Sequence, residues 1–214
     1  MTVLSRFLSF FPLIALLGIC ASLVAFIITP SVLTLVTLAF AVYGLPLCVF
    51  RLLHVLFPIT EGFSHLDERR YSPWWGSHQT QAIYIAIPQL EAVLRLIPGA
   101  FSGWLRLWGS RVGASVYWTP RVEIVDRNLL DIGDRVIFGD KVECWAHVIK
   151  PKDGRLSLYV KRVQIGHNVF LGAGSRIGPG ASIADGASVP ILAILFPNQK
   201  VLTQEDRIEI PDAV

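Results

Sequence analysis

"VQIGHNVFLGAGSRIGPGASIADGASV", Val163 to Val189, brings back an aliphatic residue every sixth position: Ile165, Leu171, Ile177, Ile183 and Val189. Three of the five are followed by glycine. An amphipathic helix requires apolar residues three or four apart and a half-buried strand requires them two apart. A period of six fits neither. It fits a chain that makes a short strand, turns by about 120° and repeats, so that three strands close one triangular coil, a spacing typical of β-helices. The aliphatic side chain points into a narrow prism, and the small residue beside it occupies a corner with little room for a Cβ.

Outward from this stretch the period can be traced toward the N-terminus. Val112-Gly113, Ile132-Gly133 and Phe138-Gly139 carry the same apolar–small pair. Val112 to Ile132 is one full coil of three hexapeptide sides, plus two positions. Phe138 to Ile165 is one and a half coils, nine positions more than one, so a loop leaves the prism at "KPKDGRLSLYVKR", Lys150 to Arg162. About four coils are expected. Stacked repeats leave an apolar face open at each end. The segment before Val112 is expected to cover one end and "PILAILFPNQK", Pro190 to Lys200, the other.

The remainder of the 214-residue chain has a different composition. Only 16% of residues are charged, because Phe7 to Phe50 contains no Asp, Glu, Lys, Arg or His. Phe7–Thr29 and Val32–Phe50 are two uncharged runs split by Pro30-Ser31, each close to the length of roughly 20 residues that a spanning helix needs. A signal peptide has a shorter apolar region and no second span, so a retained transmembrane hairpin is expected. Arg6 precedes the first run, and Arg51, Arg69 and Arg70 follow the second. The positive-inside rule then places both termini and the C-terminal domain in the cytoplasm, on the inner face of a plasma membrane.

Pro58 ends the second helix. "QAIYIAIPQLEAVLRLIPG" then sets Ile83, Ile87, Leu90, Leu94 and Ile97 at helical steps, with Pro88 starting or kinking the helix. Trp104 and Trp108, four apart beside Arg106 and Arg111, suit either a membrane headgroup layer or the packing of the first coil. The organisation read from the chain is a transmembrane hairpin over 1–58, an interfacial helical linker over 59–111, a β-helix over 112–190 and a C-terminal capping tail over 191–214.

Three cysteines, two of them in the apolar runs, make no disulfide framework and read as apolar thiols. The net charge of +3 comes without a basic run, which gives no indication of nucleic acid.

At "IGHNVFLGAGSRIGPGASIAD" (165–185) the sequence resembles the hexapeptide-repeat acyltransferases, whose fold is a left-handed parallel β-helix. The resemblance covers Val112 to Val189. It implies an acyl transfer, with acetyl the expected group, from coenzyme A to a hydroxyl or amine. It also implies a homotrimer, since the family's donor groove lies between subunits. The family's catalytic base is a histidine just before the extruded loop, and "CWAHVIKPKDG" places His147 there, one coil length before Ile165. Such a base takes the proton of the attacking group. Members that acylate sugars carry an aspartate at the place of Asp126, where it accepts a hydrogen bond from the acceptor; a turn-capping role is the other reading of Asp126. Where those members have an asparagine just upstream, this chain has Thr119 and Arg121.

For the donor, the resemblance implies that Gly172, Ala173 and Ser188 line the pantetheine groove and that Lys200 contacts phosphate. An acyl carrier protein is an alternative donor. His167, where the family has Asp, Asn or Glu, reads as solvated surface. No metal is expected: zinc-binding members need two histidines five apart, and His147 is followed at that spacing by Lys152, His167 by Gly172. Placement at the membrane suggests a lipid-linked or membrane-made acceptor, such as a polysaccharide precursor, lipid or lipopeptide. A non-catalytic β-helix scaffold that holds a partner at the membrane is the rival reading.

Overall fold

The structure is a computed structural model describing residues 2–66, 70–152 and 154–203. The chain divides into two compact units: Met1–Val93 with Val148–Val160, and Leu94–His147 with Lys161–Val214.

The first unit is helical. Helices α1 (Val3–Leu8) and α2 (Phe11–Ile28) form one apolar rod; α3 (Val32–Ala39), a π-helical turn (Phe40–Gly44) and α4 (Leu45–Leu56) form a second. Ser31 starts the second rod with a capping box: its hydroxyl accepts from Thr34 N–H, and the Thr34 hydroxyl accepts from Ser31 N–H. Both rods are long and apolar enough to cross a membrane, and only 17% of an 18-residue apolar window in each is buried. The second helix continues to Leu56, so Arg51 lies inside it; Arg69 falls outside the described residues.

The π-helical turn has a local cause. Pro46 lacks the N–H that would bond to the carbonyl of Val42, four residues back. Tyr84 supplies the missing donor, its hydroxyl 2.7 Å from Val42 O. Tyr84 belongs to α5 (Pro73–Ala86), which begins well before the apolar stripe read from the sequence, at the N-cap Ser72. Its buried face is largely polar: Trp74, Ser77, Thr80, Gln81 and Tyr84. The stripe itself is broken at Pro88 between α5 and α6 (Gln89–Arg95), and of its five residues only Ile83 is buried.

The second unit opens with α7 (Ala100–Trp108), and its Trp104 and Trp108 are 5% and 0% exposed. Of the two roles open to them, the structure shows packing against protein. A three-sided parallel β-helix follows, consistent with the prism expected from the repeat. One ladder joins strands Arg111–Val112, Leu130–Ile132, Val163–Ile165, Ser182–Ile183 and Lys200–Val201. The next joins Tyr117–Trp118, Ile137–Phe138, Phe170–Leu171 and Ser188–Val189. The third joins Glu123–Ile124, Glu143–Cys144, Arg176–Ile177 and Ile194–Leu195. The second residue of each two-residue pair points inward, and the column Trp118, Phe138, Leu171, Val189 is buried throughout.

Two expectations are corrected by the register. Phe138 pairs with Leu171, and Ile132 with Ile165. Each pair has the same sequence separation, 33, as Asp134 and His167, which bond across the same two coils. The excursion therefore adds fifteen positions to a coil instead of nine, and Phe138 and Ile165 lie on different faces. The ladders also run past Pro190: Ile194–Leu195 and Lys200–Val201 continue them, so Pro190 to Lys200 builds coil where a cap was expected.

The glycines fall into two classes. A Cβ on Gly172 would meet the backbone of the next coil, at 2.5 Å from Ile191 N. Gly174, Gly180 and Gly186 instead take a left-handed φ near +70° at successive corners. The excursion returns as a hairpin in the first unit. Strand Arg155–Val160 lies between His147–Lys152 and the antiparallel strand Gly62–His65, with Gly62 opposite Val160 and His65 opposite Ser157.

Candidate active site

The two-residue excess of the first coil falls between Ile124 and Ile132, at the corner between the third and first ladders. Val125 N–H still bonds to Cys144 O, and Leu129 N–H closes a turn onto Asp126 O at 3.2 Å. The extra residues turn Asp126, Arg127 and Asn128 inward, leaving them 2%, 1% and 5% exposed. Ser110 holds the bulge from below: its hydroxyl donates to Arg127 O and accepts from Leu130 N–H.

One coil on, the excursion starts at the same corner. Lys161 N–H bonds to Ala146 O and closes the neck of the loop, and His147 is its first residue. The Asp126 Oδ2 accepts from Ala146 N–H at 2.7 Å and lies 2.7 Å from His147 Nδ1. A carboxylate oxygen can only accept, so Nδ1 carries the hydrogen, and in the neutral ring Nε2 is then the nitrogen with the lone pair. The imidazole is 17% exposed against 2% for the carboxylate. This is the arrangement in which a neutral histidine can accept a proton at Nε2 while a buried carboxylate orients it and stabilises the imidazolium formed. Asp126, expected to contact the acceptor or to cap a turn, is thus bonded to His147; the residues are 21 apart in sequence.

The other expected site residues are not gathered here. Gly172 and Ala173 lie at the corner between the second and third ladders, with Gly172 N–H bonded to Val189 O. Ser188 is beside them, pointing out from the second ladder opposite Phe170. Lys200 stands on the first ladder opposite Ser182, exposed. Within one chain Gly172, Ala173 and Ser188 lie on a different edge of the prism from the His147–Asp126 pair, whereas Lys200 follows the third–first corner to which that pair belongs. Arg121, where an asparagine was looked for, pairs with Asp140 across one coil. His167 is half exposed, with Nδ1 accepting from Asp134 N–H at 3.0 Å. Cys144 is fully buried in the third interior column, and burial pushes its thiol up, which leaves an apolar thiol.

Arg127 and Asn128 were not singled out from the sequence. Their signal is a run of three polar residues, "DRN", between Val125 and Leu129-Leu130 at a place where the repeat has two residues too many.

The fold and site define a parallel β-helix with a histidine–aspartate pair at the root of an extruded hairpin. The chain matches no protein-family model and no curated protein. Among solved structures it is similar to a hexapeptide-repeat containing acetyltransferase from Vibrio cholerae O1 biovar eltor complexed with acetyl coenzyme A. There the identity is 17%, with 57% of this chain and 81% of that chain covered, at a TM-score of 0.44. It is also similar to a maltose O-acetyltransferase from Clostridium difficile 630 (16% identity, 54% and 75% covered, TM-score 0.40). A galactoside acetyltransferase in complex with coenzyme A overlaps at 15% identity, 55% and 76% covered, and a TM-score of 0.33.

Proposed function

We propose that this protein is a membrane-anchored acyltransferase that moves an acyl group, acetyl foremost, from coenzyme A to a hydroxyl or amine of a membrane-associated acceptor. The observation that carries the reading is the 2.7 Å contact of Asp126 Oδ2 with His147 Nδ1 at the start of the excursion, in a chain whose repeat resembles that acyltransferase family. In the reaction, His147 Nε2 takes the proton of the acceptor as its oxygen or nitrogen attacks the thioester carbonyl. Asp126 stabilises the imidazolium that results. Collapse of the tetrahedral intermediate breaks the carbon–sulfur bond, and the imidazolium returns its proton to the departing thiolate. The products are the ester or amide and free coenzyme A.

Lys200, on the first ladder, is the proposed contact for a donor phosphate, and the edge formed by Gly172, Ala173 and Ser188 is the proposed place of the pantetheine arm. Its separation from His147 within one chain supports a homotrimer, in which one subunit's edge faces the next subunit's histidine. The two rods, Val3–Ile28 and Val32–Leu56, are the proposed spans. Their outward apolar residues, among them Leu17, Ile27, Leu33 and Val36, suit a lipid environment. The β-helix is placed on the cytoplasmic side, where coenzyme A is available; an acyl carrier protein is the other donor with the same thioester. The test is release of free thiol from acetyl-CoA by the purified full chain, incubated with lipid and glycan fractions of its own membranes. Acceptor-dependent thiol release in the wild type and its loss in His147→Ala are expected. Equal release in a correctly assembled His147→Ala protein overturns the reading and leaves a scaffold.

A further inference from the structure

A cavity of about 460 Å³ opens at the N-terminal end of the β-helix, between α7 and the first coil and apart from His147. Its volume lies in the range of small-molecule sites, about 300–1,000 Å³. Two guanidinium groups, Arg95 and Arg106, are among its lining residues, and among the described residues that line it none is acidic.

Both arginines are held in place by the backbone. Arg95 Nη1 donates to Pro120 O at 3.1 Å, and its Cζ sits 4.2 Å above the Phe101 ring. Arg106 donates from Nε to Val112 O at 2.9 Å and from Nη2 to Gly113 O at 2.8 Å. The floor is equally fixed. Trp118 stacks on Phe138, meets Phe101 edge-on and donates its indole N–H to Ser102 Oγ at 2.9 Å. The rim is apolar and open, with Leu96, Ile97 and Tyr117 exposed by 71%, 55% and 61%. Asp134 reaches this corner from the next coil, but its Oδ1 accepts from Ala114 N–H.

A guanidinium fixed over an aromatic ring, Arg95 on Phe101, with a second, Arg106, on the same wall, supplies the positive charge that matches the oxygens of a phosphate ester. Exposed aliphatic side chains at the mouth match a hydrocarbon chain. We propose that this cavity is a binding site for a phosphate-bearing amphiphile, whose phosphate lies between Arg95 and Arg106 and whose chain lies along Leu96, Ile97 and Tyr117. The two candidate spans of the same chain would keep such lipids at hand. The site is separate from the acyl-transfer machinery, so it stands or falls without it.

The test uses the full chain in neutral maltoside micelles, with no acyl donor, and native mass spectrometry to count bound lipid. Dioleoyl phosphatidic acid carries both halves of the ligand, dioleoylglycerol only the hydrocarbon and glycerol 3-phosphate only the phosphate ester. A discrete phosphatidic acid adduct is expected on wild type and on His147→Ala alike. The double change Arg95→Gln, Arg106→Gln should weaken it by about tenfold or more. Ala114→Trp, which fills the cavity from an exposed rim position and keeps both arginines, should do the same. Phosphatidic acid binding unchanged in both variants overturns the site. Dioleoylglycerol binding as well as phosphatidic acid overturns the role of the arginines. Glycerol 3-phosphate displacing the lipid at equal concentration keeps the phosphate-ester site and assigns it to a soluble ester, overturning the hydrocarbon half.

Discussion

Replacing Asp126 by asparagine isolates the charge of the pair. Asp126 Oδ2 accepts from both Ala146 N–H and His147 Nδ1–H, each at 2.7 Å. An asparagine carbonyl oxygen in the same place accepts both bonds, so the ring orientation and the tautomer are retained. What is lost is a negative charge about 4 Å from the imidazolium, worth about 4 kcal/mol at an effective dielectric constant near 20. A proton half transferred in the transition state would feel about 2 kcal/mol and a complete transfer about 4, a fall in turnover of about 30- to 1,000-fold. Asp126→Ala also leaves the buried Ala146 N–H without its acceptor, at about 1–3 kcal/mol of stability. The assay is continuous detection of free thiol from acetyl-CoA with a saturating acceptor, alongside thermal unfolding of each variant. Asparagine should lower turnover with little change in melting temperature or in KM for the donor, and alanine should lower both turnover and melting temperature. An asparagine variant within about threefold of wild type, in an enzyme that His147→Ala inactivates, would refute the assignment of Asp126 as the stabilising charge.

Three further outcomes follow from the geometry. His147→Ala should lose about 10²–10⁴-fold in turnover while the protein still assembles; an unchanged oligomeric state by native mass spectrometry and absent thiol release are the readouts. Ser175 is fully buried in an apolar column, and its hydroxyl has no hydrogen-bond partner among the described residues. Ser175→Ala should therefore raise stability by up to about 1 kcal/mol, seen as a higher denaturant midpoint. The backbone N–H of Ala114, followed by the positive charge of Arg135, holds the Asp134 carboxyl below its usual range. Its contribution is complete above the unfolded value near pH 4 and is lost as pH falls through the folded value. Melting curves of wild type and Asp134→Asn should accordingly differ at pH 6 and converge toward pH 2.

The parts of this protein that the sequence by itself determined are those with a short period or an uninterrupted composition. Interior positions recur every six residues because each coil side is one local strand and corner, so Ile165 to Val189 specify their face without reference to the rest of the chain. The uncharged rods likewise follow from local composition. His147 is singled out through the family resemblance, which puts a histidine just before the extruded loop, at a place the repeat register makes identifiable. Tertiary structure alone decided the pairing across the excursion: the chain length between Phe138 and Ile165 is the same whichever face each occupies, and only the ladder shows that Ile132 is the partner of Ile165. It decided that Trp104 and Trp108 pack inside, since four-residue spacing defines a face without naming what covers it. It also decided the contact of Asp126 with His147, because contact between residues 21 positions apart depends on a two-residue bulge that turns the carboxylate inward beneath the next coil. The cavity at Arg95 and Arg106 arises for the same reason: its walls come from a helix and a coil corner whose proximity no local pattern encodes.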